Sequence, residues 1–436
     1  MQLYMSGTPS NDHFQVVENQ MCSHRLFSMH ANYAKAVMKW LDMVRQGIRT
    51  FDDYCQFNPS ALGQLESADT DMRNLLRERR IDENWIPYSQ ALRTASARYD
   101  ANWPRHIMLD SGAYTAWNAG KTATLEQITK VYAEFIENAV GLFDEIWLVN
   151  LDVIPGKPKR AATEDECKRA AEESDENLAV LKSEFGECVL PVFHQGDGKQ
   201  RLLDVIDQGN GYICFSPTNG IAEKERWLWA VRMLHSLHTL RCDVQAHGLA
   251  TTGNEMIREA YLHSGDSAAW KRHGGFGIVD LVEDERWLER HIEVGQDCEW
   301  LSLEINDATR PRYRAYHIAR DRNDLDELTG EELIDNARHY TSLPKDIQLS
   351  VRSRVEQHFP MIMAQFDKRV RELICLAELR KFAESAGLPR PIPKVRIKRN
   401  GNWIDPGLPL SDLTTSKYPT QEDRESFLSH PFLEPL

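Results

Sequence analysis

The sequence predicts an α/β chain: a (β/α)8 TIM barrel with a polar insertion and a helical C-terminal extension. Three observations carry that expectation. From Ile107 onward, short apolar runs alternate with segments of helical periodicity, the pattern of parallel βαβ units. A polar residue closes each of these runs, as in barrels that gather their chemistry at the carboxyl ends of the strands. No G-x-G-x-x-G follows any run, which leaves the open dinucleotide-binding sheet as the runner-up.

The elements follow in order. Residues 2–5 read as a first strand, ended by the turn-rich Ser6-Gly7-Thr8-Pro9. Residues 31–47 show helical spacing, with Ala34, Val37, Met38, Leu41 and Val44 on one face. The stretch 60–105 is polar and charged, and reads as an insertion of short helices. Strands are expected at 107–109, 145–151, 188–193, 212–215 and 242–246, with a faint one at 260–263 and a last one near 275–279. Helices are expected between them at 125–140, 162–185, 199–207, 223–240 and 254–261. The barrel domain is drawn as 1–310 and the extension as 311–436. Within the extension, 347–386 reads as a long helical stretch broken at Pro360 and stopped by Gly387-Leu388-Pro389.

A length of 436 residues allows a large core, and the 27% charged fraction is that of a globular chain with no apolar run of membrane-spanning length. The eight cysteines include no Cys-x-Cys or Cys-x-x-Cys pair, which suits reduced thiols in a cytoplasmic setting. A net charge of −14 argues against indiscriminate coating of nucleic acid, but the charge is uneven. Residues 280–307 hold ten acids and two bases, whereas 388–401 hold Arg390, Lys394, Arg396, Lys398 and Arg399 and no acid. One such basic segment is enough for phosphate contacts, although a charge run is otherwise a solvated face.

The polar residues at the strand ends are Asp110, Asp152, His194 with Gln195, Ser216, His247 with Gly248, and Asp266. In a closed barrel they converge on one mouth. Three carboxylates, a glutamine and close-approach glycines suit a planar, hydrogen-bonding ligand such as a purine, with Tyr114 or Trp117 to stack on its face. Two aspartates on either side of a glycosidic carbon can divide the work, one as nucleophile and one as proton carrier. The structural alternatives are an Asx turn at Asp110, helix-capping roles for Asp152 and Gln195, and a core position for Tyr114. His194 and His247 either bond the ligand or line the mouth. No H-x-H or H-E-x-x-H accompanies them to support a metal-dependent hydrolase.

In order and position these residues resemble the guanine transglycosylases, (β/α)8 enzymes that exchange guanine for a deazaguanine base. Family motifs of the forms D-S-G-G-[FY]-Q, G-x-V-Q-G-G, G-G-L-A-V-G and D-x-x-x-P-T-R have counterparts here. These are Asp110-Ser111-Gly112-Ala113-Tyr114, Phe193-His194-Gln195-Gly196, His247-Gly248-Leu249-Ala250-Thr251, and Asp266 through Arg272, with Asp152 at a strand end between the first and second. The resemblance covers roughly 107–277. It implies Asp266 as nucleophile and Asp110 as proton carrier. It implies Ser111, Tyr114, Asp152, Gln195, Gly248 and Leu249 as base-binding residues, and no cofactor or metal.

Departures are equally plain: Ala113 and Thr115 replace Gly and Gln, and Trp270-Lys271 replace Pro-Thr. The tRNA-acting members carry a zinc motif, C-x-C-x-x-C with a later His, beyond the nucleophile. This chain has only Cys298 and Cys375 there. The D-S-G-A-Y-T-A-W and D-S-A-A-W forms are similar to the phage-type DNA-guanine transglycosylases. The expected partners are therefore DNA and a free 7-deazaguanine base, with Lys271, Arg272, Lys394, Arg396, Lys398 and Arg399 as phosphate contacts. No membrane is expected, and a homodimer is allowed. A tRNA-acting enzyme, a retaining glycoside hydrolase and a non-catalytic partner subunit stay open as alternatives.

Overall fold

The computed structural model describes residues 2–10, 12–81, 85–99, 103–121, 123–156, 162–218, 222–240, 242–251, 262–282, 300–306, 339–343, 345–385, 397–399, 402–404 and 418–429. Strand β1 (Gln2–Ser6), helix α1 (Gln15–Gln20), β2 (His24–Ser28) and α2 (Ala31–Arg45) open the chain. Helices α3 (Phe51–Phe57), α4 (Ser60–Glu78) and α5 (Tyr88–Tyr99) then lead into β3 (His106–Asp110). Helices α6 (Ala113–Asn118) and α7 (Leu125–Ala139) precede β4 (Glu145–Val149), and α8 (Glu164–Phe185) precedes the short pair β5 (Val189–Leu190) and β6 (Val192–His194). Helix α9 (Lys199–Gln208), β7 (Tyr212–Ser216), α10 (Glu223–Thr239), β8 (Gln245–Gly248), β9 (Ser264–Ser267) and α11 (Ala269–Gly275) complete the alternation.

These nine strands form one sheet in the order β5-β4-β3-β2-β1-β9-β8-β7-β6, and every pairing is parallel. Its two ends, β5 and β6, are separated in the chain by Pro191 alone. The sheet therefore curls into a nearly closed, barrel-like form. Proline cannot donate to a ladder, which is why the pairing breaks there. Tyr4, Leu26, Met108, Val149, Leu190, Val192, Tyr212 and Cys214 fill the interior as one buried cluster.

Several helices start where their sequence dictates. Thr163 and Glu166 form a reciprocal capping box at the head of α8, and Thr50 with Asp53 does the same for α3. On α7, Ile128, Tyr132, Phe135 and Ala139 make the apolar face that packs on the sheet.

Beyond α11, β10 (Ile278–Val282) pairs antiparallel with β11 (Trp300–Glu304). Helices α12 (Lys345–Val355), α13 (Met361–Phe366) and α14 (Lys368–Ser385) follow, broken at Pro360 as expected and again at Asp367. The antiparallel pair β12 (Ile397–Arg399) and β13 (Asn402–Ile404) and helix α15 (Gln421–Ser429) close the chain. Helices α12–α14 share one apolar core with β1, α1, α3–α5, α11, β10 and β11. Arg424 on α15 pairs with Asp207 on α9.

Four sequence expectations are corrected. The strand near 275–279 is not part of the barrel sheet, since among the described residues β10 pairs with β11 alone. The missing barrel strand is β2, whose charged Arg25 hides it in an apolar search. The 260–263 strand lies instead at Ser264–Ser267, and the 242–246 strand at Gln245–Gly248. The stretch 60–105 holds one 19-residue helix, α4, rather than only short ones. The helix expected at 254–261 lies outside the described residues, as does the domain boundary at 310.

Candidate active site

Register places the polar strand ends at one end of the sheet: Ser28 pairs with Asp110, His194 with Ser216, Phe215 with Gly248, Gly248 with Gly265, and Tyr4 with Asp266. The charges of Asp152 and Asp266 both act on Asp110. Burial, reinforced by the charges of Asp152 and Asp266, pushes the Asp110 carboxyl from its ordinary 3.8 up to about 7. The N–H of Gly112 offsets part of this.

Asp110 ends β3, and the chain leaves it through Ser111 and Gly112. Ser111 is fully buried, and its hydroxyl lies 3.4 Å from the Ala113 N–H. Gly112 has φ of 74°, and a Cβ there would come within 2.7 Å of the His30 Cβ, so only glycine fits. The turn launches α6, whose Tyr114 is 42% exposed with its ring 5.9 Å from that of Trp117. Tyr114 is thus an exposed aromatic on the helix that follows Asp110 rather than a core residue. Beneath Asp110, the buried Tyr132 hydroxyl sits 3.1 Å from the Leu109 carbonyl and 2.8 Å from that of Val149, tying β3 to β4.

Asp152 follows β4 in a loop anchored on α8. Asn150 donates to the Ser174 carbonyl (2.9 Å), Asn177 to the Leu151 carbonyl (2.8 Å), and the Val153 N–H to the Ser174 hydroxyl (2.8 Å). Its Oδ2 lies 3.0 Å from Nε2 of His194, off the line of a good hydrogen bond. Burial disfavours the charged imidazole, yet Asp152, with Asp197 behind it, outweighs that cost and raises the His194 pKa. Gln195 uses its side-chain oxygen to accept the Thr218 N–H at 3.0 Å, so it braces the β6–β7 rim.

Asp266 is buried on β9. Its Oδ1 accepts the Ala250 N–H at 2.6 Å, a short charge-assisted bond. Ala250 holds a left-handed backbone (φ 52°), and the Arg226 guanidinium donates to its carbonyl. That strain, about 1 kcal/mol for a non-glycine residue, keeps the N–H trained on the carboxylate. Gly248 leaves room for the same turn: a Cβ would come within 2.6 Å of Leu262. Leu249, half-buried, packs against the barrel's interior cluster. Sequence reasoning missed Ala250, Arg226, Ser264 and Tyr212 as parts of this site. Only the unusual Ser-Gly-Asp-Ser strand could have flagged Ser264.

The basic residues divide. Lys271 turns inward, where its ammonium donates to the Thr8 carbonyl and lies 3.9 Å from Glu18. Burial lowers its pKa against the pull of Glu18. The lysine is thus engaged within the fold by Thr8 and Glu18 while its side chain stays partly exposed. Arg272, one residue on, is exposed. Lys398 and Arg399 lie on β12, and Lys394 and Arg396 fall outside the described residues. Among the described residues, no group of three or more His, Cys, Asp or Glu could hold a metal ion. Among them too, no helix is long and apolar enough to cross a membrane.

No family model matches this chain, and no curated protein does.

Proposed function

We propose that the protein is a DNA-guanine transglycosylase, exchanging guanine in DNA for a 7-deazaguanine base on a (β/α)8 barrel in which β5 and β6 count as one strand broken at Pro191. The observation that carries this reading is the action of the Asp152 and Asp266 charges on Asp110, which is raised to about 7. A carboxyl titrating there serves equally as acid and as base near neutral pH.

In this reading a guanine nucleotide leaves the stack and enters the mouth, where Tyr114 stacks on it and Asp152, Gln195, Gly248 and Leu249 read its edge. Asp266 attacks the sugar C1′, the C1′–N9 bond breaks, and its electron pair passes to guanine, which takes the Asp110 proton and leaves neutral. A sugar–Asp266 ester keeps the polymer uncut. The incoming deazaguanine gives its ring N–H proton to Asp110, its nitrogen attacks C1′, and the Asp266 carboxylate is released. Both residues return to their starting protonation, and two displacements retain the anomeric configuration.

DNA is favoured over tRNA by the D-S-G-A-Y-T-A-W form and by the basic segment. Incubation with labelled guanine and either polymer tests the proposal. Label entering DNA supports it. Label entering tRNA preferentially transfers the reading to a tRNA enzyme, and release of free guanine without uptake transfers it to a hydrolase.

A further inference from the structure

His247 is fully buried behind Asp266 and plays no part in the steps above. Its Nδ1 lies 2.6 Å from the Ser264 hydroxyl, which lies 2.5 Å from the Tyr212 hydroxyl. The Tyr4 ring meets the imidazole edge-on, with centroids 5.6 Å apart at 83°. Among the described residues Nε2 makes no hydrogen bond, and Asp266 Oδ1 lies 3.7 Å from it. The groups around the ring are thus Tyr4 from β1, Tyr212 from β7, Ser264 and Asp266 from β9, and His263 just before β9, whose charge is coupled to that of His247.

Proton counting along this chain selects one tautomer. With the proton on Nδ1, His247 would donate to Ser264 and Ser264 to Tyr212. The Tyr212 proton would then have no acceptor among the described residues, and a bare Nε2 lone pair would confront the carboxylate. With the order reversed, Tyr212 donates to Ser264, Ser264 donates to Nδ1, and the ring N–H sits on Nε2, nearest Asp266. Each order leaves one buried donor without a hydrogen bond, the Tyr212 O–H in the first and the Nε2–H in the second, but only the second turns that donor toward a carboxylate instead of setting a lone pair against it. At 3.7 Å the N–H acts on Oδ1 as a dipole rather than through a hydrogen bond, and contacts of this kind tighten in reacting complexes.

We propose that His247 is a positioning residue for the nucleophile, fixing Asp266 Oδ1 together with the Ala250 N–H so that Oδ2 is the oxygen that attacks C1′. The role rests on Asp266 being the nucleophile. It explains why a buried histidine stands where the transglycosylase motif has glycine. Its energetic means is orientation: a carboxylate with one oxygen held presents the other along a fixed line.

The test joins a resting-state measurement to a kinetic one on the full chain. Nitrogen NMR of histidine-labelled protein, with His247 assigned from the His247→Gln spectrum, should show the Nε2–H tautomer. Formation of the sugar–enzyme adduct should slow about 100-fold in His247→Phe while DNA affinity and the KM for free base hold steady. His247→Gln, whose amide restores an N–H near Nε2, should recover to within about tenfold. Ser264→Ala changes little volume and breaks the relay, so it carries the test if the Phe variant does not fold; slowed adduct formation with binding unchanged is again expected. An Nδ1–H tautomer, an unaltered adduct rate in Ser264→Ala, or a Gln variant no better than Phe would overturn the role. A wild-type protein that exchanges no base with either polymer would remove Asp266 as nucleophile and the role with it. The tautomer, read without substrate, distinguishes that failure from failure of the relay.

Discussion

Glu18 on α1 and Asp110 on β3 are both carboxylates enclosed by this fold, and the protein drives them in opposite directions. Against the cost of burial, Lys271, Arg25 and Arg369 hold Glu18 down to about 2. Arg25 Nη1 lies 2.9 Å from it, Arg369 Nη2 also 2.9 Å, and Arg369 reaches on to Asp12 at 3.0 Å and to Glu372. Among the described residues no cation plays that part at Asp110. Its neighbours are two more carboxylates, and it rises to about 7. The first cluster ties α14 to α1 and β2, so matched charge there serves the fold. In the second, like charges are brought together at a cost, which the fold bears elsewhere. Stability and chemistry are thus separated by the sign of the neighbours.

The largest expected effect breaks the second cluster's function and leaves its fold. Asp266→Asn changes almost no volume, and removing the proposed nucleophile should lower base exchange by about 1,000-fold or more in a labelled-guanine assay. A variant retaining a tenth of the activity would strike Asp266 from that role.

Breaking the first cluster should do the reverse. Glu18→Gln strands Arg25 and Arg369 without their shared partner, and a loss of about 3 kcal/mol is expected in urea unfolding. The pH window follows from the sign: a depressed carboxyl stabilises above its unfolded value of 4.5, and that contribution disappears as pH falls through about 2. Wild type and variant should therefore converge in strong acid. An equal gap at all pH values would mean that Glu18 acts through packing.

Asp110→Asn sharpens the comparison from the other side. A raised carboxyl favours the folded state fully below its unfolded value of 3.8, and that contribution is lost as pH rises through about 7. In mild alkali the Asn variant should unfold later than wild type, by roughly 1–3 kcal/mol once partial solvent exposure is discounted, while exchange is abolished. Exchange by wild type should likewise decline above pH of about 7 as Asp110 loses its proton. The smallest effect concerns the basic residues. Changing Arg272, Lys398 and Arg399 to Ala should flatten the salt dependence of DNA binding, by about one unit of log–log slope for each phosphate no longer neutralised. Lys271→Ala should instead cost stability. A weakened salt slope in Lys271→Ala alone would reverse that division.

What was legible in the sequence follows the same separation. Strands whose residues are apolar, such as Ile107 to Leu109, declare themselves, and so do the polar residues that end them. Strand β2 did not, because Arg25 belongs to a charge cluster that no local pattern reveals. Strand β9 did not either: Ser264, Gly265, Asp266 and Ser267 are all buried, yet none is hydrophobic. Small polar residues suit that strand, where Gly265 lies against Thr251 and the Ser264 hydroxyl meets His247 Nδ1. The inward commitment of Lys271 depends on Glu18, more than 250 positions away in the chain, and spacing around Asp266 cannot show it.

The most direct test of this account is a carbon NMR titration of aspartate-labelled protein, with Asp110 assigned from the Asp110→Asn spectrum. A carboxyl midpoint near 7 at Asp110, falling when Asp152→Asn or Asp266→Asn removes a neighbouring charge, is the expected result. A midpoint in the ordinary range near 3.8, unmoved by either substitution, would contradict it: the three aspartates would then not act as one site.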